Sequence, residues 1–449
     1  MRAGVLAATL RVLRLEGWRA ARDRATDRRH DAAWRRAFVA ASPVGANGVG
    51  VLNLLSTPPA VRLGGVQIQL QSRLSAEAEL RGAALLFRSG SAWRLLRRGG
   101  PSHGEPVGAA SDSGGQRYDD ELVRAVHIAS RRVGAGAVHV ENVAGFSLGG
   151  LLAIVRGGLT LVLGSHDFAL FCERPHLIEA SSGRFCGYSR DPVRCEACLG
   201  HDGPRRPGYQ DQWRALAREL LAAAEAVVYP SRFARDTHLA LFTGLDEARH
   251  VVIAPAALLP EADALPAHHP GPLRRVAFLG PVKAHKGGAM LPEVVRLLAA
   301  DRGPGLQFRV YGGGDAGLLD ALHGLPGVRV RGSYRAGALP ALLVNDRIDL
   351  ALLLSVWPET HALVLDECVA AGVPVIAFDF GAQGERIRSL GIGETVPLAL
   401  GARGIAEAVA RRAQAMQAPE VPPGLRARLR TPTDVARAHV DLFHALGLL

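Results

Sequence analysis

Two glutamates, Glu359 and Glu367, have the residue type and spacing that chemistry would need. The first sits in Ser355-Val356-Trp357-Pro358-Glu359-Thr360-His361-Ala362, and the second in Asp366-Glu367-Cys368. A strand-like run, Ile348 to Leu354, precedes them. Apolar residues then recur at helical spacing to Ala371, and Gly372 followed by Pro374 reads as a helix stop. The expectation is a helix that starts at Thr360, with Glu359 at its N-terminus and Glu367 about two turns further in. On a continuous helix that spacing spans about 12 Å. Carboxylates so far apart cannot share a proton or one metal ion, but they suit two ends of an elongated ligand. The helix N-terminus between them favours phosphate. A ligand with hydroxyls at each end and phosphate between is a nucleotide sugar. Two solvated glutamates on a surface helix fit the same spacing.

The flanking sequence must supply the frame. Val49 to Leu54 reads as a buried strand, and Gly64-Gly65 then opens a helix through Leu74. Strand, glycine loop and helix is the layout of a phosphate- or sugar-binding turn. Further strands are expected at 83–87, 137–141, 159–163 and 226–231, with a helix at 119–132. A Pro- and Ala-rich stretch, 254–272, is the linker candidate. A second alternating series runs through Arg275 to Gly280, Phe308 to Gly312, Val328 to Gly332, Leu350 to Leu354 and Val375 to Phe378. Alternating strands and helices imply parallel sheets. The expected class is therefore α/β, with two Rossmann-like domains facing a central cleft. Expected boundaries are 1–44 for a basic helical segment, 45–262 for a first Rossmann-like domain and 270–430 for a second, which carries the paired glutamates. Residues 431–449 are expected as a C-terminal helix packing back on the first domain.

Composition narrows the function classes. At 449 residues, two cores are the natural division. Net charge is +11 and the pI about 10.1, but much of the charge is local. Residues 1–37 hold ten Arg against Glu16, Asp23, Asp27 and Asp31. With Leu6, Leu10, Leu13 and Trp18 among its apolar positions, this segment could lie on an anionic membrane surface, or it could be a solvated helix packed on the first domain. Arg11 and Arg14 interrupt it as a signal peptide, and no run of about 18 uncharged apolar residues exists. The expected location is cytoplasmic, with peripheral membrane contact through residues 1–40 left open. Aromatic content of 5% leaves few stacking platforms, so a nucleic-acid partner is not expected.

Several motifs in one order resemble a known family. Phe278-Leu279-Gly280 leads to Lys286-Gly287, then Tyr311-Gly312-Gly313-Gly314 and Gly332. The paired-glutamate segment through Gly372-Val373-Pro374 follows, then Asp379-Phe380-Gly381 and Glu385. Upstream, Tyr229-Pro230-Ser231-Arg232-Phe233 matches the end of a first domain. This resembles the retaining glycosyltransferases of family 4 (glycosyl transferases group 1), which have the GT-B fold. The likeness covers roughly 225–396 and extends more weakly over Gly64-Gly65 and His166-Asp167.

The resemblance implies roles. Lys286 would contact the donor diphosphate, with Gly280 in the adjoining turn, and Glu367 would hold the ribose. Glu359, with the amides of Thr360, His361 and Ala362, would address the transferred sugar. Gly332 would border the base, His166 would face the sugar, and Gly64 and Gly65 would approach phosphate or acceptor. It also implies transfer with retention to a glycan or lipid-linked glycan, in bacterial envelope or polysaccharide synthesis, with no obligatory cofactor. Three positions depart from the pattern. Pro281 stands where the family often has Arg, leaving Lys283 as a substitute cation. Thr360 replaces a Gly, and Cys368 an Ala. Other readings are a phosphorylase or sugar-nucleotide epimerase on the same scaffold, and a basic nucleic-acid-binding protein.

Four of five cysteines, Cys172, Cys186, Cys195 and Cys198, lie close together, and the last pair is a C-x-x-C. In a reducing compartment, that set fits a structural zinc site beside the loop after His166. An iron–sulfur cluster and unligated thiols are the other readings.

Overall fold

The computed structural model describes residues 2–41, 48–60, 64–110, 118–259, 272–302, 305–414 and 421–449. Two compact units emerge: 29–256 with 430–449, and 1–28 with 257–429. Most of the expected linker, 260–271, lies outside the described residues.

Helix α1 (Arg2–Ala40) breaks its helical geometry at Gly17, where φ is 83°. The division between units falls inside it, at residue 28. It is thus not a segment apart: Leu15 joins the core of the C-terminal unit, while Trp34 and Phe38 join the core of the N-terminal unit. Leu10, Leu13 and Trp18 are exposed.

The N-terminal unit runs β1 (Gly50–Leu55), α2 (Gly65–Leu80), β2 (Leu85–Ser89), β3 (Ala92–Leu96) and β4 (Glu105–Ala109). It continues through α3 (Asp120–Val133), β5 (Ala135–Val140), α4 (Leu148–Arg156), β6 (Thr160–Gly164), α5 (Pro192–Gly200) and α6 (Tyr209–Ala223). It then passes through β7 (Ala226–Tyr229), α7 (Arg232–Leu241) and β8 (His250–Val252). Among the described residues its sheet has the order β4-β3-β2-β1-β5-β6-β7-β8. The pairs from β2 through β8 are parallel. The edge departs from the expected all-parallel sheet, because β2-β3 and β3-β4 are antiparallel. Ser89-Gly90-Ser91, with Gly90 at φ 60°, makes the hairpin turn.

The C-terminal unit runs β9 (Arg275–Leu279), α8 (Leu291–Arg302), β10 (Gln307–Tyr311), α9 (Ala316–His323), β11 (Val328–Gly332) and α10 (Leu339–Asn345). It ends with β12 (Leu350–Leu353), α11 (Leu363–Ala371), β13 (Val375–Phe378), α12 (Gly381–Leu390), β14 (Gly393–Val396) and α13 (Gly401–Gln414). Its sheet is parallel throughout, in the order β11-β10-β9-β12-β13-β14. Strands β12 and β13 are buried at every residue, as a sheet covered on both faces requires. The order reverses between β9 and β12, and ligands of such sheets bind outside the strand carboxyl ends at that switch.

The last helix, α14 (Pro432–Ala445), starts at a Thr431/Asp434 capping box. Its Val435 and Phe443 enter the core of the N-terminal unit with Val51 and Val162.

Candidate active site

The loops that leave β9 and β12 meet at the switch point of the C-terminal sheet. The first passes through Gly280 and Pro281 into a 3-10 turn, Ala284–Lys286. Gly287 closes it with φ 77°, and a Cβ there would collide with the Leu354 carbonyl. The Val356 amide donates to the His285 carbonyl at 3.0 Å, tying the loops together.

This seam places the Lys286 Nζ 2.5 Å from Glu359 Oε1. The Ser355 hydroxyl donates to the same oxygen. The ammonium also lies 5.1 Å from the centroid of the Trp357 ring, a cation–π contact. Burial alone would raise the Glu359 carboxyl, but the Lys286 charge and the two hydrogen bonds outweigh it and hold the carboxyl below the usual range. The site is therefore an ion pair between a buried carboxylate and a partly exposed ammonium at the end of a parallel sheet.

Glu359 does not belong to the helix. α11 begins at Leu363, and its N-cap, Ala362, takes the left-handed region at φ 65°. The expected start at Thr360 is thus early by three residues, and the helical estimate of the Glu359–Glu367 separation does not apply. The amides of Thr360, His361 and Ala362 lie in the approach to the helix.

That approach is clamped. Arg386 Nη1 donates to the His361 carbonyl at 2.9 Å, and its other nitrogen pairs with Asp366. His361 Nε2 lies 3.1 Å from Asp366 Oδ2. Burial would raise Asp366, but Arg386 and His361 bring it below its ordinary value. Gly381 supports the loop from beneath: at φ 67°, its Cβ would come within 2.6 Å of the Glu359 nitrogen. The Ala382 amide donates to the Glu359 carbonyl at 2.7 Å.

Glu367 is buried on α11, and burial together with Asp366 pushes its carboxyl up to about 8. Cys368 is buried beside it in the core, as a packing residue. Lys283 is exposed, and its carbonyl accepts the Lys286 and Gly288 amides at 3.1 and 2.9 Å.

Gly332 is covered from within its own unit. A Cβ there would meet Glu16 of α1 at 2.5 Å. The Glu16 carboxylate accepts from the Ser333 amide at 2.9 Å and from its hydroxyl at 2.5 Å. The surface expected to border a base thus carries an acidic side chain from the N-terminal helix.

In the N-terminal unit, Gly64 (φ 151°) and Gly65 begin α2. Val66, Gln69 and Arg73 of that helix line a cavity with His166, Glu141 and His439. The turn after β6 is set by Asn142, which donates to Asp167 at 2.9 Å, and by Asp167, which accepts the Ala169 amide at 2.9 Å. Arg73 bridges Glu77 and Glu141 and reaches Asn53 at 3.0 Å. Burial pushes Glu141 up to about 7 against the pull of Arg73.

Sequence reasoning missed Ser355, Trp357, Asp366 and Arg386, and the Arg73–Glu77–Glu141 network. The i,i+4 spacing of Arg73 and Glu77 was a usable signal. The link to Glu141 depends on the fold.

The chain can now be set beside known proteins. Residues 274–415 match the family model described as "Glycosyl transferases group 1". No curated protein matches the chain. Sucrose-phosphate synthase from Thermosynechococcus elongatus is similar in structure, with a TM-score of 0.54 at 17% identity over 89% of this chain and 96% of that one. HepE from Anabaena in complex with UDP-glucose gives 0.52 at 14% identity, over 88% and 99%. A glycosyltransferase from Rickettsia africae gives 0.53 at 13% identity, over 88% and 98%. The fold is thus α/β with two Rossmann-like domains built on largely parallel sheets, shared with glycosyltransferases of the GT-B type, and the match to the group 1 glycosyltransferase model falls on the C-terminal domain.

Proposed function

We propose that this protein moves a sugar from a nucleoside-diphosphate sugar to a glycan or lipid-linked glycan. In this reading it is a hexosyltransferase that retains anomeric configuration and serves bacterial envelope or polysaccharide synthesis. The Lys286–Glu359 pair at the sheet's switch point carries the reading. A cation held there by one carboxylate and one aromatic ring is preorganised to meet a diphosphate. Glu359, released from Lys286, accepts from the sugar hydroxyls, and Glu367 takes the ribose. The anomeric C–O bond to phosphate breaks and the acceptor oxygen bonds to the same face. Its proton passes to the departing diphosphate, so the protein need supply no separate base. Lys286 and the N-terminus of α11 offset the charge that grows on the leaving group.

The reading includes a cytoplasmic location with peripheral membrane contact through Leu10, Leu13 and Trp18. Among the described residues, no helix is long and apolar enough to cross a membrane. Incubating the protein with nucleotide sugars and lipid-linked or free glycans, then reading product mass and anomeric configuration by NMR, tests it. An α-linked donor should yield an α-linked product. Inversion would refute retention, and release of sugar 1-phosphate in the presence of inorganic phosphate would indicate a phosphorylase.

A further inference from the structure

The segment between β6 and α6 carries chemistry that sugar transfer does not use. Its four cysteines come from three separate stretches of chain, yet Cys172, Cys186, Cys195 and Cys198 line one cavity. All four are free thiols. No trio of His, Cys, Asp or Glu among the described residues already stands in metal-holding geometry.

The surroundings of the sulfurs are informative. Each one receives an N–H donor. The Arg174 amide points at Cys172, and the Tyr188 and Ser189 amides point at Cys186. The Ala180 amide donates to Cys198 at 3.4 Å, and Arg214 Nη2 donates to Cys195 at 3.5 Å. Amides two and three residues beyond a cysteine, aimed back at its sulfur, form the kind of turn that steadies a thiolate ligand. Gly187 and Tyr188, at φ 68° and 57°, give the chain that turn after Cys186. Arg174, Arg194 and Arg214 line the cavity against a single acid, Glu179. That charge suits a tetrathiolate site, which is doubly negative with a divalent ion.

The segment also needs a staple. Between Phe168 and Gly208 the regular structure among described residues is α5 and one isolated bridge, Ile178 to Phe185. Phe168, Phe171, Leu177 and Leu199 are buried, but no residue from 178 to 198 is, and Val193 on α5 is exposed.

We propose that Cys172, Cys186, Cys195 and Cys198 bind one zinc ion that fixes this segment and, through it, the turn carrying His166 and Asp167. Binding releases the four thiol protons and leaves no open coordination position, so the site is structural. The proposal stands apart from the glycosyltransferase reading, because metal content is measured without donor or acceptor.

The full chain, purified under reducing conditions without chelator, is analysed for metals by mass spectrometry. About one zinc per chain is expected. Cys186→Ser and Cys195→Ser should each lower zinc content by about tenfold or more. Because a serine variant can fail by misfolding, parent protein stripped and refilled with cobalt(II) provides the second reading. Thiolate-to-cobalt charge transfer with tetrahedral ligand-field bands is expected. Zinc below about a tenth of an equivalent, iron in its place, serine variants that keep their zinc, or cobalt spectra without charge transfer would overturn the site.

Discussion

The Lys286 ammonium and the Glu359 carboxylate lie 2.5 Å apart, although 73 residues separate them in the chain. The contact exists because Gly287 lets the loop after β9 lie against the end of β12, and because Gly381 leaves room beneath Glu359. Breaking either partner has different consequences. Lys286→Ala strands a buried carboxylate and should cost about 2 kcal/mol, allowing for the partly exposed ammonium. Glu359→Gln keeps the shape and should cost less. Both should lower transfer by about 100-fold or more. Denaturant unfolding and initial rates on the same preparations check this; full activity in either variant would remove the pair from the mechanism.

The pair also fixes a pH dependence. The folded Glu359 carboxyl titrates below its ordinary value of 4.5. Its stabilising contribution is therefore present above about pH 4.5 and is lost as pH falls through the lower folded value. Parent protein should lose stability faster than Glu359→Gln on acidification below that point. Parallel unfolding curves for the two would contradict the assignment.

Glu367 behaves in the opposite sense. Its carboxyl titrates near 8 in the ligand-free protein, so folding binds a proton between 4.5 and about 8, and stability falls as pH rises across that window. A carboxylate accepting two ribose hydroxyls must be ionised. Nucleotide affinity should therefore rise with pH through about 8 in the parent and stay flat in Glu367→Gln. Calorimetric titrations at pH 6.5 to 9 would show this; identical profiles would reject the ribose role.

Gly381→Ala forces a side chain into the left-handed region and against the Glu359 backbone. The backbone term alone should cost about 1–2 kcal/mol. Activity should fall further than stability, because the Glu359 loop must move. A variant with parental rates would show that the loop's position is not needed.

The glycine turns, the apolar strand runs and the two-domain α/β organisation were legible in the sequence because they are local signals. The break between Glu359 and α11 was not. Ala362 adopts φ 65° without being Gly or Asn, and tertiary contacts from Arg386 hold it there. The Glu16–Ser333 contact joins residues 317 apart, and no periodicity announces it. Strands β3 and β4 were missed because alternating βα units were expected throughout. Residues 1–40 read as one basic segment, yet Trp34 and Phe38 are core residues.

The core positions of Trp34 and Phe38 restrict a test of membrane contact to exposed side chains of α1. Deleting 1–40 would remove core side chains, whereas Leu10→Ser, Leu13→Ser and Trp18→Ser alter exposed positions. Together they should reduce co-flotation with anionic vesicles by about tenfold or more, given roughly 1.5 kcal/mol or more for each large apolar side chain. Unchanged flotation would discard the anchor.

The most direct test of the central claim is calorimetric titration of the parent and Lys286→Ala with UDP, GDP, ADP and their glucose conjugates. At least one nucleoside diphosphate should bind the parent at about micromolar strength, and Lys286→Ala should weaken it by about tenfold or more, the loss expected for one charge-assisted contact. If none binds the parent, or if the two proteins bind equally, the Lys286–Glu359 pair is not a diphosphate site.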